Sequence, residues 1–219
     1  MITLAIDTSA GTSVAVLRGD KILAEVNHTE PMKHAEQIGQ SIQEALGAAG
    51  TAAKDVKLVA LGRGPAPFTG LRVGMAAGIM FAEGVGAECY GVVSLDALAL
   101  QLIQSGVDVS AQRPLLITAD ARRSEVYWAL YSGLNASGAP VSVEGPSVMK
   151  PAELDDYLTN KNIHPVRAEA SVSAGALGQV LAAQLTAGTA TKDLSALYLR
   201  AADAVAPASN RLAGKKVSS

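Results

Sequence analysis

An α/β protein of two lobes built on one plan is the architecture this sequence predicts, and three observations predict it. β-type and helical runs of apolar residues alternate along most of the chain. A strand ending in aspartate and leading into a hairpin is found twice, in "ITLAIDTSAGTSVAVLR" and in "LLITADARRSEVYWALY". With Asp120 set on Asp7, a β-rich run follows six residues after each aspartate, "SVAVL" in one case and "VYWAL" in the other. The chain of 219 residues is long enough for one large domain or two small lobes, and 49% hydrophobic with 17% charged residues describes an ordered globular protein.

The elements follow in order. Ile2, Leu4 and Ile6 share one face of a first strand, and Val14 and Val16 share a face of the second. "RGD" at 18–20 is a turn carrying Gly19, so the second and third runs form a hairpin. "KHAEQIGQSIQEALGAAG" sets Ala35, Ile38, Ile42, Ala45, Leu46 and Ala49 at helical spacing, with Gly50 as the stop. "VKLVALG" is a buried strand leading into "GRGPAPFTGLR" at 62–72, and a helix follows that loop. "CYGVVS" is a short strand, and "SLDALALQLIQSG" a helix with Ser94 as its N-cap. After the second hairpin, "SGLNASGAPVSVEGPS" is rich in Gly, Ser and Pro and reads as an exposed loop with a poor strand inside. "PAELDDYL" and "SAGALGQVLAAQLTAG" are helical, and "DAVAPASNRLAGKKVSS" has no periodicity and reads as a mobile tail. The expected division is a first lobe over 1–105, a second over 106–202 and the tail over 203–219.

Bulk chemistry excludes several classes. A domain that holds RNA unaided is basic and aromatic-rich; here the net charge is -2 and aromatics are 4%. The single cysteine, Cys89, leaves no internal disulfide. The first residues lack a basic start and Asp7 interrupts their apolar run, so they read as a strand and not a signal peptide, and "NAS" at 135–137 is a chance match to a glycosylation acceptor. The wholly apolar run at 73–82 is too short to span a bilayer. The expectation is a soluble cytoplasmic protein with no membrane partner.

Candidate chemistry begins at "IDTSAGTS". Asp7, Thr8 and Ser9, with Gly11, Thr12 and Ser13 behind them, can offer N–H groups and hydroxyls to a phosphate, as the first phosphate loop of actin-like and sugar-kinase-like ATPases does. An ordinary turn closing a hairpin accounts for the same residues, and from these residues alone it is preferred. A nucleotide site of that type needs a second glycine-rich loop in the other lobe. The equivalent place holds Arg122, Arg123, Ser124 and Glu125, without glycine, so backbone cannot approach a phosphate closely and Glu125 repels it. The arginine side chains can still bind an anion. His28, His34 and His164 lack metal-ligand spacing, Cys89 has no local partner, and "GVVSLD" is not a nucleophile elbow. The residues thus offer no catalytic group, no metal site and no cofactor site.

"GRGPAPFTGLR" is not a P-loop, because no Gly-Lys-Ser/Thr follows the required gap. Behind it Gly70, Gly74, Gly78 and Ala82 recur every fourth residue and form a smooth stripe that permits close approach. Leu71, Met75 and Ile79 lie alongside, with Val73, Met80 and Phe81 on other faces, so the helix is apolar all round. It is either a central core helix or one with a face on the sheet and another on a partner subunit; sequence alone does not separate the two.

"AIDTS", "KHAEQI", "GRGPAPFTGLRVG", "GVVSLDALA", "DARRSEVYWALY" and "LYLR" together resemble, in order and over nearly the whole chain, the bacterial TsaB (YeaZ) family. "GRGP-x-x-FTGLR" and "DAR-x-x-EVYWA" are its specific blocks. The resemblance implies a two-lobed actin-like/Hsp70-like ATPase fold, a ribonuclease H-like duplication, with a degenerate nucleotide cleft. It implies the non-catalytic subunit of the tRNA threonylcarbamoyladenosine synthase. Such a subunit pairs with TsaD, the related catalytic subunit with a histidine-pair metal site, and works with the ATPase TsaE. TsaD moves threonylcarbamoyl from its adenylate onto N6 of adenosine 37 in ANN-reading tRNAs, so tRNA is met only through the complex. A homodimer is implied when TsaD is absent. Carried over by position, the pairing surface covers His34, Phe68, Thr69, Gly70, Arg72, Gly74 and Gly78, and the vestigial phosphate or anion site covers Asp7, Thr8, Ser9 and Arg122. Ala66-Pro67 stands where the family usually has Gly-Ser, Ala196 where it often has Pro, and "NIHPVRAEASV" is shorter than its counterpart. An active ATPase or kinase of the same fold is the alternative, and a metallopeptidase the third.

Overall fold

A computed structural model describes residues 1–30 and 33–199 of the chain, and the expected tail at 203–219 lies outside them. Strands β1 (Ile2–Asp7), β2 (Thr12–Arg18), β3 (Lys21–His28), β4 (Val56–Gly62) and β5 (Glu88–Val92) form one sheet in the order β3-β2-β1-β4-β5. β6 (Leu115–Asp120), β7 (Val126–Leu134), β8 (Pro140–Met149) and β9 (Val166–Arg167) form a second in the order β8-β7-β6-β9. In both, an antiparallel meander of three strands is extended by parallel pairing on the first strand. The register repeats too: Asp7 lies opposite Ser13, and Asp120 opposite Val126. This is the ribonuclease H-like plan used twice, the actin-like two-lobed fold.

The helices are α1 (His34–Ala48), α2 (Phe68–Val85), α3 (Ser94–Gln104), α4 (Pro151–Asn160) and α5 (Ala174–Ala187). α1 and α2 cover one face of the first sheet, where Ile38, Ile42, Ala45 and Leu46 pack with Leu4, Ile6, Val14, Val16 and Leu61. α3 and α5 cover the other, where Ala97, Leu100, Leu177, Val180 and Leu181 meet Ala5, Ala15, Leu17 and Ala60. α3 has a second apolar face: Leu95, Leu98, Ala99 and Leu102 pack on Leu115, Ile117, Ala129 and Tyr131 of the second sheet. α3 therefore joins the two lobes, buried from both sides. α4 closes the far face of the second sheet through Leu154 and Leu158 against Leu116, Trp128 and Leu130.

Three details differ from the sequence reading. α5 lies on the first sheet, although a division at residue 105 assigns it to the second lobe. The stretch read as an exposed loop with a poor strand inside holds the end of β7 and most of the ten-residue strand β8, whose pairing with β7 shifts register between Trp128 and Leu134 and so loses the alternation that marks a strand. Ser94 is the first helical residue of α3, with Val93 at the N-cap, and its hydroxyl is used elsewhere. On α2, which the sequence left open between a core helix and one with a free face, Met80 is 71% exposed. Among the described residues no helix is long and apolar enough to cross a membrane.

Candidate functional site

Between the lobes lies a cleft of about 910 Å³. One wall is the β1–β2 loop with Thr8, Ser9 and Thr12; the opposite wall holds Thr118, Asp120 and Arg122; Pro65, Pro67 and Leu95 line it between them. The structure thus brings Thr8, Ser9 and Arg122, expected from sequence to form an anion site, to a single cavity.

Asp7 sits behind that wall rather than in it. Its carboxylate is fully buried. Oδ1 accepts from the Ser9 N–H at 2.7 Å, and Oδ2 accepts from the Ser94 hydroxyl at 2.6 Å. Ser94 Oγ in turn accepts from the Gly64 N–H at 3.1 Å, while the Ser94 N–H donates to the Gly64 carbonyl at 2.8 Å. A Cβ at Gly62 would overlap the carboxylate, so only glycine lets β4 pass it. Burial raises the Asp7 carboxyl above its ordinary range, against the lowering by its bonds from Ser9 and Ser94. Asp7 is a junction between β1, the "GRGP" loop and the start of α3. An enclosed carboxylate of this kind has no face to offer a hydrated cation or a phosphate.

The hydroxyls of the first loop have internal partners as well. Thr8 Oγ1 donates to the Gly70 carbonyl at 2.9 Å, and Thr12 Oγ1 lies 3.0 Å from Nδ1 of His34. In the second lobe the loop after β6 is a tight turn, with the Ala121 N–H donating to the Glu125 carbonyl and the Glu125 N–H to that of Arg122. Arg122, Arg123 and Ser124 have φ of 63°, 55° and 60°, a left-handed path that glycine takes without strain and these residues take at about 1–2 kcal/mol each. The backbone follows a path that suits glycine while carrying side chains, and of these Arg122 lines the cleft. Arg122 Nη1 lies 3.4 Å from Asp120 Oδ2, so an anion entering here meets a carboxylate beside the guanidinium.

α2 settles what its glycines face. A Cβ at Gly74 would overlap the Thr8 side chain, one at Gly78 would overlap Leu61, and one at Gly70 would come 2.8 Å from His34 Nε2. The stripe therefore seats α2 on its own chain's β1 loop and β4. Close approach is required at Gly70, Gly74 and Gly78 by this chain's own residues. The side of α2 left open carries Thr69, Arg72, Ala76, Met80 and Glu83. Arg72 Nε donates to Tyr198 Oη at 2.7 Å. Phe68 opens α2. His34, expected on the pairing surface, is half-buried in the cleft wall. Among the described residues no group of three or more His, Cys, Asp or Glu is placed to hold a metal ion. Sequence reasoning missed Ser94, whose hydroxyl reaches an aspartate far away in the chain, and Arg63, which holds the last described segment.

Duplicated sheets with a cleft between them define an actin-like two-lobed fold. The family model described as TsaD: tRNA N6-adenosine threonylcarbamoyltransferase matches residues 21–210. An uncharacterized protein of Mycobacterium tuberculosis is 37% identical over 155 residues, 69% of this chain and 66% of that protein. The tRNA threonylcarbamoyladenosine biosynthesis protein TsaB of Escherichia coli is 32% identical over 151 residues, 69% of this chain and 63% of that protein. The match thus spans slightly less than two thirds of the length of these relatives. The solved structure of YeaZ from Pseudomonas aeruginosa superposes with a TM-score of 0.74 at 24% identity, covering 90% of this chain and 99% of that one. The chain belongs to the TsaB (YeaZ) family, within the wider group that the matched model describes.

Proposed function

We propose that this protein is a non-catalytic subunit in the biosynthesis of threonylcarbamoyladenosine in tRNA, and that it acts by docking the catalytic subunit TsaD through the open side of α2. The observation that carries the non-catalytic reading is the enclosure of Asp7, bonded to Ser9 and Ser94 and closed off from solvent. The internal bonds of Thr8 and the arginines after β6 support it from both cleft walls. The names of the E. coli and other relatives support the pathway.

The docking reading starts from Met80, a large apolar side chain 71% exposed on the open side of α2, with the small Ala76 one turn before it. A partner of the TsaD family shares this chain's fold and presents the equivalent pair of helices. Like then meets like about a pseudo-two-fold axis, and a second copy of this chain can take the same seat when TsaD is absent. Thr69 and Arg72 join that surface. TsaE and tRNA engage the pair and not this chain alone, and ATP turnover belongs to the other components. The retained cleft favours an active ATPase as the second reading.

Co-expression with the cognate TsaD tests the docking. A stable pair is expected, and Met80→Asp, which sets a charge on the apolar seat, is expected to weaken it at least about tenfold with circular dichroism and melting unchanged. Failure of the wild-type proteins to associate, or ATP hydrolysis by the isolated chain, would overturn the proposal.

A further inference from the structure

After α5 the chain returns along the edge of the first sheet as an extended strap over residues 191–198. The Gly91 N–H of β5 donates to the Thr191 carbonyl at 3.0 Å, an isolated antiparallel bridge. Arg63, at the end of the "GRGP" approach, holds the next stretch. Its side chain is only 13% exposed. Nη2 pairs with Asp193 Oδ2 at 2.7 Å, Nε donates to the Ser195 carbonyl at 2.8 Å, and Nη2 donates to Ser195 Oγ at 3.3 Å. The Arg63 carbonyl accepts from the Leu197 N–H at 2.9 Å. A Cβ at Gly91 would overlap both the Arg63 side chain and the Asp193 carbonyl, so β5 is shaped for this strap.

The inner side of the strap bears on α2. Leu194 packs into the cluster beneath α1 and α2, and Ala196 joins Ala66, Leu71 and Met75. Tyr198 reaches the open stripe itself: it accepts the bond from Arg72 Nε, and the guanidinium carbon lies 5.5 Å from its ring centroid. The first two turns of α2 are thus seated from below by the sheet and propped from the side by the strap.

We propose that residues 191–198 are a brace that sets the docking helix, and that Arg63 is the residue that positions the brace. The inference rests on the docking role of α2 proposed above. Partner affinity is then governed from a site that the partner does not touch, since Arg63 is covered by the strap. A lysine cannot replace it fully, because a single ammonium cannot reproduce the fork that reaches Asp193 and the Ser195 carbonyl together.

The test measures the affinity of the full chain for the cognate TsaD, together with amide hydrogen exchange and thermal melting. Arg63→Ala is expected to weaken binding about tenfold, within the range by which remote positioning residues modulate a site. Exchange should rise over 191–198 and in the first turns of α2, and stay unchanged in the second lobe's β6 and β7. Asp193→Ala, on the exposed side of the strap, should weaken binding about threefold, and Arg63→Lys should fall between wild type and Arg63→Ala. The double variant should bind no worse than Arg63→Ala alone. A purely structural role would lower the melting temperature and leave the dissociation constant unmoved. Wild-type affinity in both Arg63→Ala and Asp193→Ala, with strap exchange raised, overturns the brace. Should Arg63→Ala not fold, unchanged binding by Asp193→Ala overturns it alone. Absence of binding by wild type is a different outcome and removes the docking reading with it.

Discussion

Asp7 and Asp120 end the first strands of the two sheets and begin the same turn. Each accepts on Oδ1 from the N–H two residues ahead, Ser9 in one case and Arg122 in the other, and both bonds measure 2.7 Å. Beyond that bond they part. Asp7 is fully buried and bridges to Ser94. The Asp120 side chain is 66% exposed and pairs with Arg122 of its own loop. One local device serves two ends, and what packs over it decides which. Over Asp7 lie the "GRGP" loop and the start of α3, so the carboxylate has become a structural junction. Asp120 faces the open cleft, and its neighbour is an arginine where a nucleotide-binding member would place glycine.

The largest expected effect breaks the comparison if it fails. Asp7→Ala leaves the Ser9 N–H and the Ser94 hydroxyl without their buried acceptor, a loss of about 3 kcal/mol in urea unfolding. Asp120→Ala, at an exposed site, should cost under about 1 kcal/mol. Equal losses would mean that the two aspartates are not differently used.

A third aspartate sharpens the role of burial. Asp96 on α3 accepts from Tyr131 Oη at 2.7 Å, bridging the lobes, and burial pushes its carboxyl up to about 6. The folded state then holds a proton that the unfolded chain has released, so this group's contribution is full below about pH 4 and is lost as pH rises to 6. One unit is worth about 1.4 kcal/mol, so roughly 2–3 kcal/mol is at stake. Denaturation of Asp96→Asn and wild type at pH 4 and pH 7 should show the variant gaining on wild type by that order across the window. A constant difference would remove the buried-acid argument.

The smallest effect concerns how α2 is seated on the Asp7 loop. Gly74→Ala pushes a methyl into Thr8 and should cost about 1–3 kcal/mol. Gly39→Ala, in α1 with open space around it, should stabilise by about 0.5–1 kcal/mol. Melting temperatures that move the same way for both would contradict the inward orientation of the stripe.

Much of this was legible in the sequence, and the gaps have physical causes. The duplication was readable because alternation and the six-residue spacing after each aspartate are local. The lack of glycine in the second loop was readable because it is visible residue by residue. The Gly70–Gly74–Gly78 stripe announced close approach but could not name what approaches, since a sheet and a partner helix both require it. Ser94 looked like a cap because a hydroxyl at a helix start has that local use; its actual partner, Asp7, comes from the other end of the lobe. An Ala/Leu-rich helix such as α5 fits either sheet equally well, and the irregular pairing of β8 erased its own signal.

The most direct test sets the junction against the docking surface in one reaction. Threonylcarbamoylation of adenosine 37 is measured with the cognate TsaD and TsaE, adding this chain as wild type, Asp7→Asn or Met80→Asp, each confirmed folded at the assay temperature. Expected are no modification by this chain alone, activity near wild type for Asp7→Asn, and a loss of about tenfold or more for Met80→Asp. Abolition by Asp7→Asn with ATP turnover by this chain alone, and no effect of Met80→Asp, would contradict a non-catalytic docking subunit.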